Sequence, residues 1–144
     1  MSNYIVIKKS ETLAAKISMC NDGIVRVMFK KNTEIGPAEF KELFEKYNAL
    51  VEGKSYPYLY TVEDGSVTIT NEGRAYSKAN EYSFPKICNA YVLKSLAHKL
   101  VANFYIKFNK PSYPSKVFSN MDEAEAWCLK LLKDSGRKHY SIVI

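Results

Sequence analysis

The sequence predicts an α/β fold: a mixed, mostly parallel sheet opened by a β-hairpin and flanked by helices, in the order β-β-α-β-α-β-α-β-α. Three observations carry this. Residues 12–29 hold β-prone segments on either side of Asn21-Asp22-Gly23, a turn that joins antiparallel strands. Ile87–Leu93 is a nearly unbroken apolar run, the pattern of a parallel strand buried on both faces. Elsewhere apolar residues recur at helical spacing, and helices alternating with strands wind a parallel sheet.

Each element follows from local chemistry. Leu13, Ala15, Ile17 and Met19 alternate with more polar or small positions, which predicts a strand over residues 12–20, and Ile24–Phe29 completes the hairpin. Ile35-Gly36-Pro37 opens a helix, with Pro37 suited to the first turn. Phe40, Leu43, Phe44, Tyr47, Leu50 and Val51 keep helical spacing through it, and Gly53 sits past its end. Tyr56–Val62 is aromatic and β-branched, a third strand, followed by the turn Glu63-Asp64-Gly65-Ser66 and a brief extended piece, Val67-Thr68-Ile69. Thr70 is the expected N-cap of a short helix near residues 71–80, which Gly73 weakens.

After the Ile87–Leu93 strand, Lys94–Phe108 switches to helical spacing, with Ala97, Leu100, Val101, Phe104 and Phe108 on one face directed to the core. Asn109-Lys110-Pro111 ends that helix, and Lys116-Val117-Phe118 is a short strand. Asn120 with Glu123 reads as a capping box for a last helix carrying Ala124, Trp127, Cys128, Leu131 and Leu132, stopped by Gly136. The chain reads as a single domain over residues 1–144, with a core of about 12–133 and β-prone extensions at 1–11 and 134–144. Tyr4–Ile7 and Tyr140–Ile144 lie outside the core pattern, and they either close over their own sheet or pair across a homodimer.

Composition narrows the class. With 144 residues, 47% hydrophobic and 25% charged, the chain is globular rather than disordered. Three cysteines, an odd number, argue against a disulfide framework and for a reducing compartment, so a cytoplasmic location is expected. No apolar run reaches the roughly 18 residues of a membrane span. The first nine residues put apolar side chains before lysines and show no small-residue cleavage site, so no signal peptide is expected. The net charge of +6 is unevenly placed: residues 1–72 hold 9 basic and 10 acidic residues, and residues 73–144 hold 12 and 5. Between Tyr82 and Met121 there is no Asp or Glu, while Lys86, Lys94, Lys99, Lys107, Lys110 and Lys116 all fall there.

No catalytic signature is present: no Gly-x-Gly-x-x-Gly, no Walker loop, no Gly-x-Ser-x-Gly and no Cys-x-x-Cys. Neither His98 nor His139 has a second ligand at metal spacing, so no metal and no cofactor is expected, and His98 reads as a surface histidine. Cys20, Cys88 and Cys128 stand beside apolar positions and read as core thiols. Ser95, Lys99, Asn103 and Lys107 form a polar stripe at i, i+4, i+8 and i+12, which with Lys110 makes Lys99, Asn103, Lys107 and Lys110 the candidate anion-binding residues. Nucleic acid is disfavoured, because the aromatics at 104 and 108 are better used as core than as stacking platforms.

The run Tyr-Val-Leu-Lys-Ser-Leu-Ala (91–97), Asn-Phe-Tyr-Ile-Lys-Phe-Asn-Lys-Pro (103–111), Tyr-Pro-Ser-Lys-Val-Phe (113–118) and Glu-Ala-Glu-Ala-Trp (123–127) resembles small bacterial proteins of the STAS-like superfamily. That superfamily includes anti-sigma-factor antagonists and the cytoplasmic domains of sulfate transporters, and is grouped with lipid-binding domains of the CRAL-TRIO type. The resemblance covers roughly residues 12–133 and implies a regulatory module that binds a protein partner. Its antagonist members carry a phosphorylatable Ser or Thr after the third strand in an Asp-Ser-(Ser/Thr)-Gly-like motif. The corresponding stretch here, Thr61–Thr70, lacks the motif but offers Asp64, Ser66, Thr68 and Thr70 as partner or phospho-loop candidates. The leading expectation is therefore a non-enzymatic interaction module. The alternative is a small-molecule or lipid-binding domain for an anionic ligand, motivated by the acid-free lysine segment and by 11 Tyr, 7 Phe and 1 Trp.

Overall fold

The computed structural model describes residues 3–136, leaving aside the side chains of Phe108 and Asn109. The elements run β1 (Val6–Glu11), β2 (Ala15–Cys20), β3 (Val25–Phe29), β4 (Thr33–Ile35), α1 (Pro37–Val51), β5 (Pro57–Val62), β6 (Val67–Ile69), α2 (Asn71–Ala79), β7 (Cys88–Val92), α3 (Leu96–Asn109), β8 (Ser115–Phe118) and α4 (Met121–Asp134). Six strands form one sheet in the order β1-β2-β3-β5-β7-β8, and β4 pairs with β6 in a small second sheet. The β1–β2 and β2–β3 pairs are antiparallel; β3–β5, β5–β7, β7–β8 and β4–β6 are parallel. This is the predicted mixed, mostly parallel α/β architecture.

From β3 onward each parallel strand adds on the same side of its predecessor. Parallel crossovers are right-handed, so a sheet that grows in one direction carries its crossover helices on one face. α1, α2 and α3 accordingly share one face, and α4, which follows the last strand, packs on the other. The strand pleat divides the core the same way. Tyr58, Tyr60 and Val27 belong to the α1 side with Phe40, Leu43, Phe44, Tyr47 and Phe84. Leu59, Cys88, Ala90 and Val92 meet Ala124 and Cys128 of α4 on the other side. Cys20, Cys88 and Cys128 are buried free thiols.

Local expectations hold at most termini. Gly36 N–H donates to Glu39 Oε1 at 2.8 Å, Thr70 Oγ1 accepts from Gly73 N–H at 2.9 Å, and Asn120 Oδ1 accepts from Glu123 N–H at 3.1 Å. α4 is tied to the hairpin by Arg26, whose guanidinium donates to both Asp22 oxygens (3.1 and 2.9 Å) and to Glu125 Oε2 at 2.5 Å. Burial opposes that charge, but Asp22 and Glu125 outweigh it and hold Arg26 firmly protonated.

Several readings change. The first predicted strand is two elements: Thr12-Leu13-Ala14 is a turn, with Thr12 Oγ1 accepting from Ala14 and Ala15 N–H at 3.1 Å each. Leu13, expected inside, is 86% exposed at the tip of that turn. Residues 6–11 are no extension outside the core: as β1 they form the sheet edge against β2. Tyr140–Ile144 lie outside the described residues. β4 is a short strand immediately before the α1 N-cap that the residue pattern does not predict, and only its partner β6 makes it one. The largest departure is α3. It begins at Leu96, capped by Ser95. Most of its expected core face is exposed, Leu100 by 62%, Val101 by 53% and Phe104 by 59%, and Leu96 beside it by 71%. Ala97 is exposed as well.

Gly73, read as a weakness in α2, is a packing requirement. A Cβ there would lie 2.5 Å from the Ile35 carbonyl oxygen and 3.1 Å from Gly36 Cα, with no flexible side chain to yield. Gly73→Ala is therefore expected to destabilise the fold by about 1–3 kcal/mol, as overpacking does, despite the better helix propensity of alanine. Urea unfolding of the two proteins checks this, and an unchanged or raised midpoint contradicts it.

Candidate functional site

Between the sheet and the three helices on its α1 face lies a cavity of about 390 Å³, inside the roughly 300–1,000 Å³ range of small-molecule sites. Its floor is a cross-strand aromatic ladder. Phe29 on β3, Tyr60 on β5 and Tyr91 on β7 stack in sequence, with ring centroids 6.0 and 5.1 Å apart and planes 14° and 18° from parallel. Tyr60 faces Tyr91 directly in the register, and Phe29, which faces Val62, meets Tyr60 on the diagonal. Phe40, Phe44 and Tyr47 of α1, with Phe84, make one wall; β4 and β6 give Ile35, Val67, Thr68 and Ile69; α3 roofs it with His98, Val101, Ala102 and Tyr105.

The polar groups gather on one side. Arg74 and Lys78, four residues apart on α2, join Glu81, Lys86, Asn89 and His98 in the lining. Three cations thus face one carboxylate. Lys86 Nζ sits between two rings, 4.5 Å from the Phe84 centroid and 4.9 Å from Tyr113. Burial pulls its ammonium down to about 8, and the Glu81 charge only partly opposes this. Among the described residues Lys86 has no ion pair. It is therefore a half-buried cation at neutral pH with no ion-pair partner.

Glu81 is spent elsewhere. Its carboxylate accepts from Ser112 Oγ at 2.8 Å and Ser112 N–H at 3.2 Å, and pairs with Lys78 Nζ at 3.1 Å. Burial alone would raise this carboxyl; the Ser112 and Lys78 hydrogen bonds win and hold it below the usual carboxylate range. Lys78 Nζ also donates to the Lys110 carbonyl at 3.1 Å. The end of α2 thereby clasps the chain just after α3. Tyr105 of α3 and Ser77 of α2 both line the cavity. In the floor, Tyr60 hydroxyl donates to Asn89 Oδ1 at 3.2 Å and Asn89 Nδ2 donates to Ser115 Oγ at 3.2 Å. Burial pushes the Tyr60 and Tyr91 phenols up, so both stay neutral.

The predicted site residues are split by this geometry. Thr68 is in the rim strand β6 and lines the cavity. Asp64 and Ser66 are exposed in the preceding loop. Thr70 has its hydroxyl occupied as the α2 cap. Lys99, Asn103, Lys107 and Lys110 are not in the lining: Asn103, Lys107 and Lys110 are exposed, and Lys99 is half-buried on α3. The cavity cations are instead Arg74, Lys78 and Lys86, and His98, read as a surface residue, faces the cavity. The i, i+4 spacing of Arg74 and Lys78 was a visible signal for a cationic helix face. His139 lies outside the described residues. Among those described, no group of His, Cys, Asp and Glu is placed to hold a metal ion, and no helix is long and apolar enough to cross a membrane.

The chain belongs to the family described as Domain of unknown function (DUF7793), whose model matches residues 18–132. That span holds the whole cavity, from Phe29 to Pro111. No curated protein and no solved structure matches the chain.

The depressed Lys86 ammonium has a measurable consequence. The folded chain releases that proton near pH 8, whereas an unfolded lysine holds it to about 10.4. Between those values the unfolded state binds more protons, so this residue makes stability rise with pH there. Relative to wild type, Lys86→Met is expected to be more stable at pH 7 and to lose that rise. Denaturant titrations at pH 7, 8 and 10 decide it, and parallel curves for the two proteins contradict it.

Proposed function

We propose that this protein is a binding domain for a small amphipathic anion, with an apolar tail on the Phe29–Tyr60–Tyr91 floor and an anionic head at Lys86, Arg74 and Lys78. The observation that carries this is Lys86: a half-buried ammonium without an ion pair, held between two rings on the wall of an aromatic cavity. Buried charges normally have partners, and a missing anion at one wall of a cavity implies the sign of what fills it. An anion at Lys86 would also recover the cost of stripping that ammonium of water.

The expected regulatory role fits the same site. β6 contributes Val67, Thr68 and Ile69 to the cavity, while the loop just before it exposes Asp64 and Ser66. A ligand pressing on β6 would shift a surface loop, which is how a ligand-responsive interaction module would present Glu63–Thr70 to a protein partner. STAS-like kinship belongs to this proposal, supported by the order of strands and helices from β2 to α4. So does the homodimer, for which the exposed Tyr4, Ile5 and Val6 at the β1 edge offer a pairing surface.

Calorimetry with dodecanoate, with dodecylammonium as the opposite-charge control, tests the reading. Dodecanoate is expected to bind and dodecylammonium not. Lys86→Met should weaken dodecanoate by about tenfold or more, the equivalent of the roughly 1.5–3 kcal/mol of a charged hydrogen bond. Ala102→Trp, which fills the cavity from the half-exposed roof helix, should abolish binding. Equal affinity for both amphiphiles, or undiminished binding by Ala102→Trp, overturns it.

A further inference from the structure

α3 is the element whose sequence and placement disagree most. Its apolar residues Leu96 and Leu100 are 71% and 62% exposed, and their i, i+4 spacing sets them on one stripe. None of its described side chains is fully buried. Exposed aliphatic residues scattered singly need no explanation, but a contiguous helical stripe does. The charge within its own segment has one sign. Lys94 precedes the helix, Lys99 and Lys107 flank the stripe, Lys110 follows, and no Asp or Glu occurs from Tyr82 to Met121.

We infer that α3 docks this protein onto an anionic lipid bilayer surface, its leucine stripe entering the head-group boundary and its lysines meeting lipid phosphates. An apolar face bordered by lysines is the pattern of a helix that lies in the interface plane. At 14 residues the helix is about 21 Å long, too short to span and long enough to lie flat. Lysines beside an anionic leaflet are attracted within a Debye length. The same charge argues against a second copy as the occupant. A two-fold dimer through α3 would bring two lysine-only surfaces together with no carboxylate from either segment to offset them. Because α3 also roofs the cavity, docking would set the cover of the cavity against the acyl region.

Vesicle flotation of the full chain tests this. Wild type is expected to float with phosphatidylcholine vesicles containing one quarter phosphatidylglycerol, to stay unbound with phosphatidylcholine alone, and to be released by high salt. Leu96→Glu with Leu100→Glu should reduce the bound fraction at least about tenfold; both positions are exposed and neither lines the cavity, so an unchanged melting curve verifies the fold. Lys99→Glu with Lys107→Glu should have a similar effect. Failure of wild type to bind the anionic vesicles, or full binding by the double leucine variant, overturns the inference. So does a dimer in light scattering that the leucine variant dissociates, which would assign the stripe to a second copy. Dodecanoate binding by the same preparations is read separately, so loss of vesicle binding alone leaves the cavity untouched.

Discussion

The close approach at Gly73 is the constraint on which the site depends. Only a residue without a Cβ lets the first turn of α2 sit against the Ile35 carbonyl. The neighbouring groups are arranged around that contact: Thr70 N–H donates to the same carbonyl at 3.0 Å while its hydroxyl caps the helix through Gly73 N–H. α2 is thereby fixed to the strand that precedes α1. One residue on, Arg74 is turned to the cavity, and four further on Lys78 follows it. The carboxylate of Glu81, just past the helix, then reaches Ser112 and ties down the loop after α3. A side chain absent at one position sets the distance between α2 and β4, both of which line the cavity.

Growth of the sheet in one direction explains why there is a cavity at all. Three helices must cover one face of β3, β5 and β7, and that face carries Phe29, Tyr60 and Tyr91 rather than small residues. α1 packs closely on the tyrosine side, where Tyr47, Tyr58 and Phe84 meet edge to face at 4.9–5.2 Å. α3 does not. Burying a leucine is worth roughly 1.5–3 kcal/mol, and the outward placement of Leu96 and Leu100 leaves that stabilisation unused within the chain. The opposite face shows what full packing looks like here: Ala90, Cys88, Ala124 and Cys128 are small and wholly buried, and the Arg26–Asp22–Glu125 cluster closes its end.

Much of this fold is legible in the residue pattern, and the places where it is not share a cause. The hairpin turn, the α1 periodicity, the Ile87–Leu93 strand and the Thr70 and Asn120 helix caps are local signals that the tertiary structure keeps. Periodicity locates an apolar stripe on α3 but not what it faces, because nothing within residues 94–108 encodes whether the sheet beneath is close enough to receive it. The same holds for charge. The lysine run points to Lys99, Asn103, Lys107 and Lys110, yet the cations at the cavity are Arg74 and Lys78 from a helix of mixed charge and Lys86 from the loop before β7. Those three converge only through strand order. β4, three residues long, exists only as a partner of β6.

The central claim is that the cavity holds an amphipathic anion whose head pairs with Lys86. Native mass spectrometry of the intact chain, purified from its own cells without detergent, measures this most directly. The account predicts a population heavier than the bare chain by one small molecule, released as a negative ion on collisional activation and absent from an Ala102→Trp variant. A spectrum of bare chain alone, or an adduct that the filled cavity retains, would contradict it.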